Sequence, residues 1–166
     1  MTQNLIHGEC LEEMTKLPDN SVDAIICDLP YGTTACKWDS VIDLDKLWDQ
    51  YNRVAKETAP ILLFSSQPFT TTLINSNPKH FKYELIYQKT YATGWAMAKK
   101  RPMKDHENIL VFYRKQPTYN PQMVPSDTPN QNYHTGGAEI YGDAKVGKSS
   151  NRGGSMDRYP RSVVGM

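Results

Sequence analysis

At 166 residues the chain is long enough for one domain with a real core and short for two. A hydrophobic fraction of 39% and a charged fraction of 22% suit a globular protein, and no apolar run approaches the ~20 residues of a membrane helix, so no membrane partner is expected. The net charge of +1 excludes a chain that is strongly acidic or basic as a whole, though not a polarised one.

The opening, MTQNLIHGE, lacks a basic region followed by an apolar one, so no secretory signal is read and the cytoplasm is the natural setting. Within it NLIHG reads as a short strand, CLEEMTKL as a helix with Leu11, Met14 and Leu17 at helical spacing, and LPDNS as the turn that ends it. VDAIICD is too apolar on both faces for an edge strand and reads as a central strand of a mostly parallel sheet. DLDKLWDQYNRVAKE places Leu44, Leu47, Trp48, Tyr51, Val54 and Ala55 on one helical face behind an Asp43 cap. PILLFSS is a second buried strand, and QPFTTTLINSN a helix whose first turn tolerates Pro68. After Pro78, FKYELIYQKT and ENILVFYR are strands separated by the loop YATGWAMAKKRPMKDH.

The repeated strand–helix–strand order argues for an α/β fold over residues 1–115. Five of the eleven prolines and seven of the ten glycines fall between Pro117 and Gly165, so residues 116–166 read as an extended, irregular tail. HTGGAEIYG and NRGGS within it follow no buried strand and read as loops.

Charge is unevenly spread. Residues 1–57 carry 11 acids against 5 bases, residues 58–115 carry 3 against 9, and residues 116–166 carry 4 against 5. Between Lys79 and Lys104, seven Lys/Arg face the single acid Glu84 and alternate with Phe81, Tyr83, Tyr87, Tyr91 and Trp95. Such a segment is either a solvated strand face or a polyanion contact. Trp95 alone reads as a core anchor. Cys10, Cys27 and Cys36 lack C-x-x-C spacing and nearby histidine pairs, and His7, His80, His106 and His134 show no metal spacing, so neither a disulfide framework nor a metal site is expected.

The chemistry-bearing stretch is AIICDLPYGTTACKWD. An acid at the carboxyl end of a strand sits where open α/β sheets place their ligands, and that acid is Asp28. Pro30 fixes its own φ and pushes Leu29 towards extended geometry, so the Asp28 carboxylate and the Leu29 carbonyl take defined directions. Tyr31 follows, with Gly32 allowing a tight exit. Taken singly, Asp28 fits a turn cap and Tyr31 a surface or core ring. Together, two acceptors beside a ring suit a flat heterocycle bearing an amino group.

Asp28-Leu29-Pro30-Tyr31 resembles the D-P-P-Y signature of S-adenosylmethionine-dependent DNA amino-methyltransferases, with Leu29 where the family has its first proline. The run LIHGECLEEMTKLPDNSVDAIICDLPYG, and farther on HENILVFYRKQPTYNPQM and YPRSVV, resemble the order of segments in the subgroup whose catalytic half precedes its cofactor half. The resemblance implies a partial Rossmann-like methyltransferase sheet with helices on both faces and a target-facing basic segment, 79–104. It also implies methyl transfer from S-adenosylmethionine to the exocyclic amino group of a flipped adenine in DNA.

Asp28, Leu29, Pro30 and Tyr31 are the catalytic residues so implied, with Glu9, where the family more often has Asp, and Asp28 towards the cofactor. Lys99, Lys100 and Arg101 are the implied phosphate contacts. The family's glycine-rich cofactor turn has no counterpart here. The expectation is therefore an amino-terminal half that needs a partner chain or carboxyl-terminal half, with a homodimer as a further arrangement. A non-catalytic DNA-binding or inhibitory remnant, or the same chemistry on RNA or a side-chain amide, is the alternative.

Overall fold

The computed structural model describes residues 3–37, 39–129 and 156–165. Two compact units are present, one formed by Met1–Thr118 with Ser162–Met166 and the other by Tyr119–Arg161. His134, HTGGAEIYG and most of NRGGS lie outside the described residues.

In the first unit the elements run α1 (Cys10–Met14), β1 (Ile25–Asp28), α2 (Leu44–Val54), β2 (Ile61–Ser65), α3 (Phe69–Ser76), β3 (Phe81–Thr93), a 3-10 turn (Trp95–Met97) and β4 (Lys104–Phe112). In the second unit, β5 (Val124–Pro125) pairs antiparallel with β6 (Asp157–Arg158). The last strand of the first unit is β7 (Val163–Gly165).

The sheet of the first unit has the order β1-β2-β4-β3-β7. The expected α/β sheet is present, and its pairing is mixed: parallel at β1–β2 and β3–β7, antiparallel at β2–β4 and β3–β4. A hairpin joining β3 to β4 imposes the antiparallel pairs, whereas α2 supplies the crossover that a parallel β1–β2 pair requires.

Two sequence expectations need correction. NLIHG forms no strand: Leu5 is fully exposed and Ile6 largely so, and an apolar run without a strand beside it has no ladder to join. VDAIICD yields β1, but at the end of the sheet rather than its centre. Among the described residues β2 is its only neighbour, and Ile26 is 70% exposed. The tail, in turn, contributes a strand that composition hid, since SVVG pairs with Ile86–Gln88 of β3.

The helices start where chemistry lets them. Asp43 accepts the Lys46 N–H at the start of α2 (3.2 Å), and Glu9 accepts the Glu12 N–H at the start of α1 (2.9 Å), so each fills one of the donors that a helix start leaves open. Pro68 stands one place before α3, where its missing N–H costs nothing.

Leu47, Trp48 and Tyr51 of α2 and Phe69 and Leu73 of α3 form one cluster with Leu29, Ile61, Leu63, Leu110 and Phe112. Leu11 and Met14 of α1 pack against it. Full burial of such side chains contributes roughly 1.5–3 kcal/mol each, and this cluster holds the unit together. Its sheet residues share one face; Ile26, Leu62, Phe64, Ile109 and Val111 alternate onto the other. Of the two helix-covered faces expected, the three described helices cover one.

Arg53 fastens α1 to α2. Its guanidinium donates to the Leu17 carbonyl (2.8 Å), Asp19 (2.7 Å), the Met14 carbonyl (2.6 Å) and Gln50 (2.9 Å).

Candidate active site

Asp28 is the last residue of β1, level with Phe64 of β2 and, through it, with Ile109 of β4 and Leu85 of β3. Strand alternation places its side chain on the face of Ile26, opposite the main cluster. Leu29, next in line, is buried in that cluster, and this anchors the chain on the far side of Asp28. Pro30 then turns the backbone, and Tyr31 folds back so that its hydroxyl donates to Asp28 Oδ1 at 2.7 Å. The Tyr31 ring stacks on Phe69 of α3, with centroids 5.4 Å apart and planes 22° from parallel. Burial, and then the bond to Asp28, push the phenol well above its ordinary pKa, so Tyr31 is a neutral donor throughout the physiological range.

The loop after Tyr31 is closed by one carboxylate. Asp39, itself buried, accepts the backbone N–H groups of Gly32 (2.8 Å), Thr33 (2.9 Å) and Thr34 (2.7 Å). The Thr34 hydroxyl and these backbone donors outweigh burial and lower its pKa to about 2. Gly32 is required at this turn: its φ is +67°, and a Cβ there would meet Val41 Cγ2 at 2.9 Å.

Two further polar contacts flank the site. Glu107 of β4, whose charge reaches Tyr31, pairs with Lys89 of β3. Lys104 donates to the Ser66 hydroxyl just past β2, and Thr70 donates to the fully buried Ser65 at 3.0 Å.

The structure thus brings together Asp28, Leu29, Pro30 and Tyr31 of the sequence-derived residues. Glu9 is occupied in capping α1, and among the described residues no hydrogen bond joins it to the Asp28 group. Lys99, Lys100 and Arg101 lie on the turn between β3 and β4; all three are exposed, and among the described residues none forms an ion pair. Trp95 is not a core anchor. It is 80% exposed, because the β3–β4 arm extends beyond the level at which β2 and the helices supply packing partners.

Sequence reasoning missed Asp39, Phe69 and the Glu107–Lys89 pair. A proline-aromatic step directly after β2 was the one available signal for Phe69.

Among the described residues, no group of three or more His, Cys, Asp or Glu side chains could hold a metal ion, and no helix is long and apolar enough to cross a membrane.

No protein-family model matches the chain. Among solved structures it is similar to the PvuII DNA methyltransferase (cytosine-N4-specific), with a TM-score of 0.56 and 9% identity over 96% of this chain and 55% of that one. The M1.HpyAVI–SAM complex matches with a TM-score of 0.46 and 19% identity over 74% of this chain and 57% of that one. TTHA0409, a DNA modification methylase of Thermus thermophilus complexed with S-adenosyl-L-methionine, matches with a TM-score of 0.48 and 16% identity over 69% and 56%. The chain therefore has an α/β methyltransferase-like fold, and it spans a little over half the length of each of these structures.

Proposed function

We propose that this chain is the catalytic, target-facing part of an S-adenosylmethionine-dependent DNA methyltransferase that modifies the exocyclic amino group of adenine. The observation that carries the reading is the convergence of the Asp28 carboxylate, the Leu29 backbone and the Tyr31 ring at the carboxyl end of β1. An adenine amino group is a weak nucleophile because its lone pair is delocalised into the ring. Acceptance of its two protons by Asp28 and the Leu29 carbonyl returns density to nitrogen and aims it along one line.

The base has to leave the duplex to reach them, at a few kcal/mol. Stacking on Tyr31, worth about 1–3 kcal/mol, offsets much of that. Leu29 in place of proline does not disturb this role, since a backbone carbonyl is supplied by any residue. Asp at position 28, rather than the Ser that the resemblance associates with cytosine, is what favours adenine.

The cofactor supplies an electrophilic methyl group. The described residues fit the acceptor side of this reaction better than the cofactor side. Asp28, and Glu9 at the start of α1, are the side chains available to it, and of the described glycines only Gly32 directly follows a sheet strand, in a turn already filled by Val41. The unpaired edge of β1, with Ile26 exposed, fits a strand from a partner chain or a carboxyl-terminal half that brings the glycine turn. Lys99, Lys100 and Arg101 belong to this reading as phosphate contacts.

The test supplies the completing half, with tritiated S-adenosylmethionine and duplex DNA, and digests the product to nucleosides. Label in N6-methyladenine that disappears in Asp28→Ala is the expected outcome. Label in cytosine or only in RNA, or an Asp28→Ala variant of near-normal activity, refutes it. Isothermal titration of the chain alone with the cofactor should show weak binding or none; low-micromolar binding would refute the need for a second half.

A further inference from the structure

Beyond the site itself, the β3–β4 arm carries aromatic and apolar side chains into solvent. Tyr91 is 83% and Trp95 80% exposed, with Met97 and Met103 beside them in sequence and also exposed. Large rings are ordinarily the most buried side chains a protein has, and their exposure together marks a binding surface. The charge around them defines the partner. From Leu85 to Lys104 the chain carries five cations and no acid. Lys89 is held by Glu107 and Lys104 by Ser66, which leaves Lys99, Lys100 and Arg101 without ion pairs among the described residues.

Position narrows the choice further. Asp28 is level with Phe64, Ile109 and Leu85, and the arm continues from there, Leu85 to Thr93 outward and Lys104 to Ile109 back. It leaves the same end of the sheet as the Asp28 carboxylate and covers on the order of 25 Å of extended chain. Gly94, at φ +86°, makes the turn that sets Trp95 at its tip.

We propose that Trp95 is a stacking platform for an unpaired base of DNA, with Lys99, Lys100 and Arg101 holding phosphates on the same strand. The proposal rests on the reading of the chain as a DNA-directed enzyme and adds to it a group that meets the strand away from Asp28. An indole face is matched by a base only when that base has lost a stacking neighbour, so the arm prefers opened or single-stranded DNA to a perfect duplex. Cations interleaved with rings suit such a strand, whereas a purely apolar protein surface would leave them unpaired.

The experiment uses a single-stranded oligodeoxynucleotide carrying 2-aminopurine, titrated with the chain in the absence of cofactor. Stacking quenches the probe. The wild type should quench it at saturation and bind it more tightly than the fully paired duplex. Trp95→Ala should bind about 5- to 150-fold more weakly, the range expected for loss of one base–aromatic stack. Trp95→Phe should lie between. Lys99→Ala with Lys100→Ala and Arg101→Ala should weaken binding but keep the quench at saturation.

Trp95→Ala binding and quenching like wild type would overturn the proposal. So would a Trp95 requirement confined to self-association or to vesicles of anionic phospholipid. Asp28→Ala should leave the quench unchanged. Failure of methyl transfer and failure of this stacking are thus read separately.

Discussion

Replacing Tyr31 by Phe isolates a single atom of the site. The ring keeps its stack on Phe69, and what is lost is the donor 2.7 Å from Asp28 Oδ1. A sheltered hydrogen bond to a charged group contributes about 1.5–3 kcal/mol. Asp28 is exposed, so water competes and the contribution falls to about 1 kcal/mol. In a unit the size of Met1–Thr118 this lowers Tm by about 4 °C. Freed of its donor, the carboxylate samples other rotamers, and methyl transfer by the completed enzyme should fall by about fivefold in kcat. Tyr31→Ala should lose more on both counts, since the stack adds about 0.5–1.5 kcal/mol.

The pH dependence has a fixed sign. Because the folded-state phenol pKa is raised, the hydroxyl's contribution is intact below its ordinary pKa of ~10 and is lost as the pH rises further. Thermal melts of wild type and Tyr31→Phe from pH 6 to above 10 measure this directly: a constant gap that closes only at the alkaline end. Melting temperatures within about 1 °C of each other at neutral pH, with equal rates of transfer, would refute the idea that Tyr31 holds Asp28.

Asp39→Ala leaves the N–H groups of Gly32, Thr33 and Thr34 without their acceptor and should destabilise the chain in urea at neutral pH. Because the carboxyl pKa is lowered to about 2, the difference between wild type and variant should be full above about pH 4 and shrink as the pH falls through 2; a difference independent of pH would refute the nest. For Lys99→Ala with Lys100→Ala and Arg101→Ala, three lost phosphate contacts should reduce the slope of log K against log salt for duplex DNA by about 2.7. An unchanged slope assigns those residues to the solvated surface.

Where periodicity was strong, the sequence was legible. The helix behind Asp43, the strands from Ile61 and Phe81, and the strand ending in Phe112 all lie where alternation or helical spacing placed them, because burial in one cluster reinforces each local preference. NLIHG has the same apolar look and forms nothing, since a strand exists only with a neighbour and a sequence does not declare which neighbours are present. The place of β1 at the sheet end was hidden for the same reason.

At the site, contiguity decided what could be read. Asp28 to Tyr31 are adjacent in the chain and are adjacent in space. Asp39 closes a loop whose end-to-end contact is set by backbone N–H directions that no residue pattern encodes, and Glu107 arrives from another strand through the sheet register. Trp95 was misjudged because hydrophobicity favours burial on average and says nothing of whether an arm outruns its core.

The guanidinium of Arg53 has consequences out of proportion to its distance from the chemistry. It ties the last turn of α1 and the Leu17–Asp19 turn to α2, while α1 itself has five residues and buries none of them. The orientation of Glu9, at the head of that short helix, is therefore governed by a residue more than forty positions away. A genetic screen for loss of function should return substitutions at Arg53 alongside those at the site, and lysine, with one point charge in place of a planar fork, should not rescue them. In such a screen Arg53 would score as a functional residue while touching no reacting atom.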